Sequence, residues 1–129
     1  MEITITGYYM DELLRWDRSI TTYYEEIEEI ENRLIKVMRQ NSTGNPGEQV
    51  YARQDLLNQA TDEFYNLRIE IQQQYISFES HRLVGDPLSD IEIEQQQVEL
   101  RHKVETVEKQ YKDVKFNCFN FLFQMEYQE

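Results

Sequence analysis

Residues 9–37 read YMDELLRWDRSITTYYEEIEEIENRLIKV, with apolar or aromatic side chains at Tyr9, Leu13, Trp16, Ile20, Tyr23, Ile27, Ile30, Leu34 and Val37. The intervals alternate between four and three residues, and no member of the series is missing. Such spacing lays one continuous seam along one side of a helix. Its mean, ~3.5 residues, is the period at which helices wrap left-handed around one another. A seam this long is stable only when buried against other helices, and the remaining sequence supplies two.

The first helix is expected over residues 8–40, with a length of about 50 Å at ~1.5 Å per residue. The turn-forming run Asn41-Ser42-Thr43-Gly44-Asn45-Pro46-Gly47 ends it. A second helix, over 48–83, carries Val50, Leu57, Ala60, Phe64, Leu67, Ile71 and Phe78 on its seam. Gly85-Asp86-Pro87 breaks the chain again, in a loop expected over 84–88. A third helix, over 89–127, has Ile93, Leu100, Val104, Val107, Tyr111, Val114, Cys118, Phe121 and Met125 on its seam. Ser89 or Asp90 is placed to cap it, with Glu92 completing a capping box on Ser89. Ahead of the first helix, Glu2-Ile3-Thr4-Ile5-Thr6 alternates and is β-branched, so residues 1–7 read as a short extended arm.

Facing residues of an antiparallel hairpin keep a constant sum of position numbers. Ile30/Ala60, Ile27/Phe64, Tyr23/Leu67, Ile20/Ile71 and Leu13/Phe78 satisfy this between the first two helices to within one. Leu57/Val114, Ala60/Tyr111, Phe64/Val107, Leu67/Val104, Ile71/Leu100 and Phe78/Ile93 satisfy it between the second and third. The fold class implied is all-α: one domain spanning 1–129, an antiparallel three-helix bundle of long coiled-coil-like helices. The same register brings Gln74 and Gln97 into one seam layer with Trp16. Two buried amides must be hydrogen-bonded, to each other or to the indole. A single polar layer of this kind fixes alignment. Arg53 also falls on the seam, near an end where its head reaches water.

The chain has 129 residues and a formal net charge of −12, from 25 acidic and 13 basic residues. That balance disfavours direct nucleic-acid binding and anionic membrane surfaces, and it suits solubility or a basic protein partner. The single cysteine, Cys118, permits no internal disulfide. No run approaches the ~18 apolar residues of a membrane span. The N-terminal MEITITGYYMDEL lacks the basic flank and apolar run of a signal peptide, so the cytoplasm is the expected compartment.

No catalytic constellation is evident. Glu99 and His102 form one Glu-x-x-His motif, whereas a di-iron bundle site needs two plus further Glu, and both residues fall on the outward side. His81 has no carboxylate three residues before it. Cys118, on the seam among Val114, Phe121 and Leu122, reads as inert packing. Gly44-Asn45-Pro46-Gly47 lacks the Lys-Ser/Thr of a phosphate loop. The expectation is therefore a non-enzymatic protein with no metal, cofactor or small-molecule substrate.

Two features point to protein contacts. Tyr24, Glu25, Glu28 and Glu29 belong to the most acidic stretch, which reads either as a wet outer face or as a docking face for a basic partner. Tyr65, Ile69 and Ile76 form a second apolar stripe on the second helix. Phe116, Phe119, Leu122, Phe123 and Tyr127 lie off the seam of the third, whose end is expected to outrun its neighbours by one to two turns. Such an excess of exposed apolar surface must be covered, by the 41–47 loop or by another chain. The first functional expectation is thus a self-associating scaffold, adaptor or assembly component, most simply a two-fold dimer. The alternative is a small acidic inhibitor or immunity-type protein masking a basic target, such as a nucleic-acid-binding protein.

Overall fold

The computed structural model describes residues 4–40, 45–84 and 89–127. They form three helices, α1 (Ile5–Gln40), α2 (Gly47–Val84) and α3 (Asp90–Glu126). The chain runs up, down and up, so that α1 and α3 are parallel and α2 is antiparallel to both. The alternating seams bury one core from pole to pole, from Leu13, Phe78 and Ile93 to Leu34, Val50 and Phe121. An aromatic cluster lies at mid-height. Tyr23 stacks on Phe64 with ring centroids 4.9 Å apart, and Tyr111 meets Phe64 edge-on at 5.3 Å.

Local chemistry sets the helix ends. Ser89 Oγ accepts from the Glu92 amide at 3.2 Å, and the Ser89 amide donates to Glu92 Oε2 at 3.3 Å, completing the capping box. Asn45 takes the left-handed conformation, φ 43°, which asparagine tolerates, and buried Pro46 accepts from the Val50 amide to open α2.

The N-terminal arm needs correction. Residues 1–3 lie outside the described residues, but Ile5–Gly7 are helical. The Thr4 hydroxyl accepts from the Gly7 amide at 2.9 Å, and its carbonyl accepts from Tyr8 at 3.0 Å. Thr4 is therefore an N-cap that starts α1 early, and Thr6, Tyr9 and Met10 bury against the bundle. β-branched alternation over so few residues is too weak a preference to resist a cap followed by an apolar seam.

A second correction concerns the C-terminal end of α3. It does not stand clear of its neighbours: Phe121 is 3 % exposed and Leu122 0 %. Leu34 and Val37 of α1, Pro46 just ahead of α2 and Val50 within it are buried at the same pole, and Arg53 lies flat with its guanidinium 4.2 Å from the Phe121 ring centroid. A helix in a three-helix bundle touches two neighbours, so positions beside the seam are buried as well.

Candidate protein-interaction surface

Polar side chains flank the core along the α1–α3 seam in a repeating arrangement. Glu12 accepts from Gln97 Nε2 at 2.7 Å and receives a two-pronged contact from Arg101, at 3.0 and 2.7 Å. Two heptads further on, Glu26 accepts from the Tyr111 hydroxyl at 2.8 Å and from Lys115 Nζ at 3.0 Å. Each carboxylate of α1 thus sits between residues four apart on α3, one turn of the same face. Burial pushes the Glu12 carboxyl up, but its bonds to Arg101 and Gln97 and the Arg101 charge outweigh this and hold it below the ordinary value. The Tyr111 phenol is pushed up, first by burial and then by its bond to Glu26. Tyr23, which donates to Glu108, is raised for the same reasons.

Gln97 is fully buried. Its Oε1 accepts from Gln74 Nε2 at 2.9 Å, and its Nε2 donates to the Tyr9 carbonyl at 3.2 Å as well as to Glu12. Trp16 lies half-buried against the core. Glu12, absent from the sequence reading of this layer, is the group that takes the amide's second hydrogen.

Toward solvent, Phe116, Phe119, Phe123 and Tyr127 are exposed by 69, 38, 65 and 76 %. Their spacing of three, four and four residues puts them on one outer stripe of α3. The rings of Phe123 and Tyr127 touch, with centroids 4.9 Å apart, and Phe119 is flanked by Arg33 and Lys115. Leu122, grouped with them in the sequence, faces inward and contributes nothing to this surface.

On α2, Tyr65, Ile69 and Ile76 are exposed, and Leu83 extends their line one heptad further. Tyr24 is half-buried: its ring meets Phe64 edge-on and carries the Arg68 guanidinium 5.3 Å from its centroid. Arg68 is itself held by Asp17, with Nη2 donating to the carbonyl at 2.6 Å and Nε 3.0 Å from the carboxylate. Tyr24 and Tyr65 line an α1–α2 groove with Glu28, Glu31 and Asp62. Glu25, Glu28 and Glu29 are exposed, and none is paired with a cation among the described residues. Burial and the neighbouring Glu28 raise the Glu31 carboxyl.

Residues weighed for chemistry are dispersed. His102 and Glu99 are exposed, and His102 Nδ1 lies 3.9 Å from Glu105. Cys118 is buried, and burial pushes its thiol up. Among the described residues no group of three or more His, Cys, Asp or Glu is placed to hold a metal ion, and no helix is long and apolar enough to cross a membrane. Two features escaped the sequence reading. One is the pair of carboxylate clamps, whose signal was the recurrence of Glu12 and Glu26 at the same interval as Arg101 and Lys115. The other is Leu83 on the α2 line. No family model, no curated protein and no solved structure matches the chain.

Proposed function

We propose that the protein is a non-enzymatic interaction module that associates with another copy of itself through the outer stripe of α3. The observation that supports this reading is the run of four exposed aromatic side chains on one helix face, with their apolar bodies in water. Scattered single apolar residues on a surface are ordinary, whereas a contiguous aromatic stripe marks a contact site. At 150–250 Å² per aromatic side chain, the stripe presents about 500 Å². Two copies together reach about 1,000 Å², the lower bound for a specific interface. The pairing is thus expected to be reversible, with dissociation in the micromolar range.

Sedimentation velocity across a concentration series tests the proposal. The wild-type chain is expected to shift from monomer to dimer and to keep doing so at about 1 M salt, where charge interactions are screened within ~3 Å. Phe116→Asp with Phe123→Asp is expected to give a monomer of unchanged helicity and melting temperature, since both side chains already lie in water. A wild-type chain monomeric at high micromolar concentration, or a double variant that pairs as before, refutes it.

A second reading has its own observation: Glu28 lines the tyrosine-lined groove, and Glu25, Glu28 and Glu29 are exposed without an ion-pair partner among the described residues. They suit a protein that masks a basic target. Binding of that kind weakens steeply between about 0.05 and 0.5 M salt, where aromatic pairing does not.

A further inference from the structure

We infer that the α1–α2 groove between Tyr24 and Tyr65 receives an arginine side chain from a basic segment of a partner protein; this rests on the second reading above, a basic target, and names the place and the group bound there. The inference comes from two successive levels of the same helix pair. At the first level Arg68 crosses from α2 to α1. Its guanidinium lies 5.3 Å from the Tyr24 ring centroid, donates to the Thr21 hydroxyl and the Asp17 carbonyl, and meets the Asp17 carboxylate. Helix positions seven apart share a face, and in an antiparallel pair one heptad up α1 is one heptad down α2. The next level therefore sets residue 61 where Arg68 stood, with Tyr24, Glu28 and Glu31 in place of Asp17, Thr21 and Tyr24.

Residue 61 is a threonine, too short to cross. Its hydroxyl donates to the Leu57 carbonyl of its own helix at 2.9 Å. The space that Arg68 fills at its own level is here an open groove, lined by Tyr24, Ile27, Glu28, Glu31, Asp62 and Tyr65 around Thr61. Ile27 is buried and, with the two tyrosine rings, makes the lining apolar, while the three carboxylates give it an acidic rim. None of the three is ion-paired among the described residues. Burial, and after it the charge of Glu28, raise the Glu31 carboxyl, as expected where positive charge is lacking. A planar guanidinium lies on an aromatic ring while its N–H groups reach carboxylates, an arrangement that the compact ammonium of lysine matches poorly. Arg68 is held in that way, and one heptad along the ring and the carboxylates recur without a cation of the chain's own.

Calorimetric titration with hexa-arginine, and with hexa-lysine for comparison, tests the inference at about 0.05 M salt, where exposed charges are weakly screened. Hexa-arginine is expected to bind the wild-type chain more tightly than hexa-lysine, by on the order of threefold. Thr61→Arg supplies a guanidinium from within the chain and is expected to weaken hexa-arginine binding about tenfold at unchanged helicity. Gln59→Arg adds the same charge at an exposed position on the opposite side of α2 and is expected to weaken it by no more than about threefold. Glu28→Gln with Asp62→Asn should weaken it about tenfold, whereas Glu94→Gln with Asp113→Asn, which removes the same charge from exposed positions on α3, should have the smaller effect. Equal losses from the two pairs, an effect of Thr61→Arg no larger than that of Gln59→Arg, or hexa-lysine binding as tightly as hexa-arginine would each overturn the inference. In those cases a basic target can still meet the acidic surface elsewhere. A chain that binds neither peptide overturns both, and leaves self-association through α3 untouched.

Discussion

Gln97 holds three hydrogen bonds in a fully buried site, so its replacement probes how a polar group is accommodated inside an apolar seam. Gln97→Leu removes two bonds between neutral groups and one to a carboxylate. At ~1 kcal/mol for each neutral bond and ~1.5–3 for the charge-assisted one, the loss is about 4 kcal/mol. The new leucine returns ~1.5–3 kcal/mol of burial, leaving a net cost of about 2 kcal/mol. Gln74→Leu removes a single bond but strands the buried Gln97 Oε1, at a cost of about 1–3 kcal/mol. With both changed no oxygen is stranded, so the double variant is expected to cost no more than Gln97→Leu alone. The singles should therefore overestimate the double by about 1–3 kcal/mol, within the range for contacting residues. Urea unfolding followed by circular dichroism at 222 nm measures the three differences, with a constant m-value as the control. At ~2 cal/mol/K per residue, 2 kcal/mol corresponds to a fall of about 7 °C in melting temperature. Strict additivity of the two singles would refute the shared bond, and a neutral Gln97→Leu would refute the whole layer.

Three further outcomes follow from the ionisable groups and the cap. The Glu12 carboxyl is depressed below its ordinary 4.5, so its stabilisation is fully present above that pH and lost as pH falls through the lower folded value; Glu12→Gln should flatten the acid side of a melting-temperature profile, and an unchanged profile would refute the clamp. Tyr23 and Tyr111 are raised, so stability is fully present below the ordinary phenol value of 10 and declines as pH rises above it; absorbance at 295 nm should show these two of the nine tyrosines ionising only as the helical signal is lost, and full titration of a still-helical chain would contradict their burial. Thr4→Ala should cost about 1 kcal/mol by unfolding, concentrated in the first turn of α1 on hydrogen exchange, whereas an unchanged exchange pattern would mean that Thr4 is not the cap.

The parts of this fold that could be read from the chain are those governed by periodicity and by short-range chemistry. The unbroken four-three spacing from Tyr9 to Val37 requires a helix and a partner wherever it occurs. The Ser89–Glu92 box needs only three residues' separation. The bond between Gln74 and Gln97 follows from aligning two seams, a one-dimensional operation. What stayed hidden depends on where the third helix sits around the other two. Leu122, one residue past the seam, looks like surface until α1 is placed beside it. Glu12 and Glu26 look like solvated charges until Arg101 and Lys115 arrive from nearly ninety residues away. Over residues 4–7 the alternation suggests an extended arm only while the cap that Thr4 supplies to the Gly7 amide is left out. Of the α3 end, the inward part is settled by such packing and the outward aromatic stripe remains in solvent.

The two carboxylate clamps also bear on how the chain avoids a misassembled bundle. A purely apolar seam repeats every heptad, so α3 could slide along α1 by seven residues and still bury grease against grease. The clamps make that slide self-defeating. Moved one way, Glu12 would meet Val104 and Glu108 while Glu26 met Cys118 and Leu122. Moved the other way, Glu12 would meet Asp90 and Glu94, and Glu26 would meet Val104 and Glu108. Every such error drives a carboxylate onto oil or onto another carboxylate. The pair of acids thus works as a two-toothed key, admitting one alignment of a lock whose other wards are all alike.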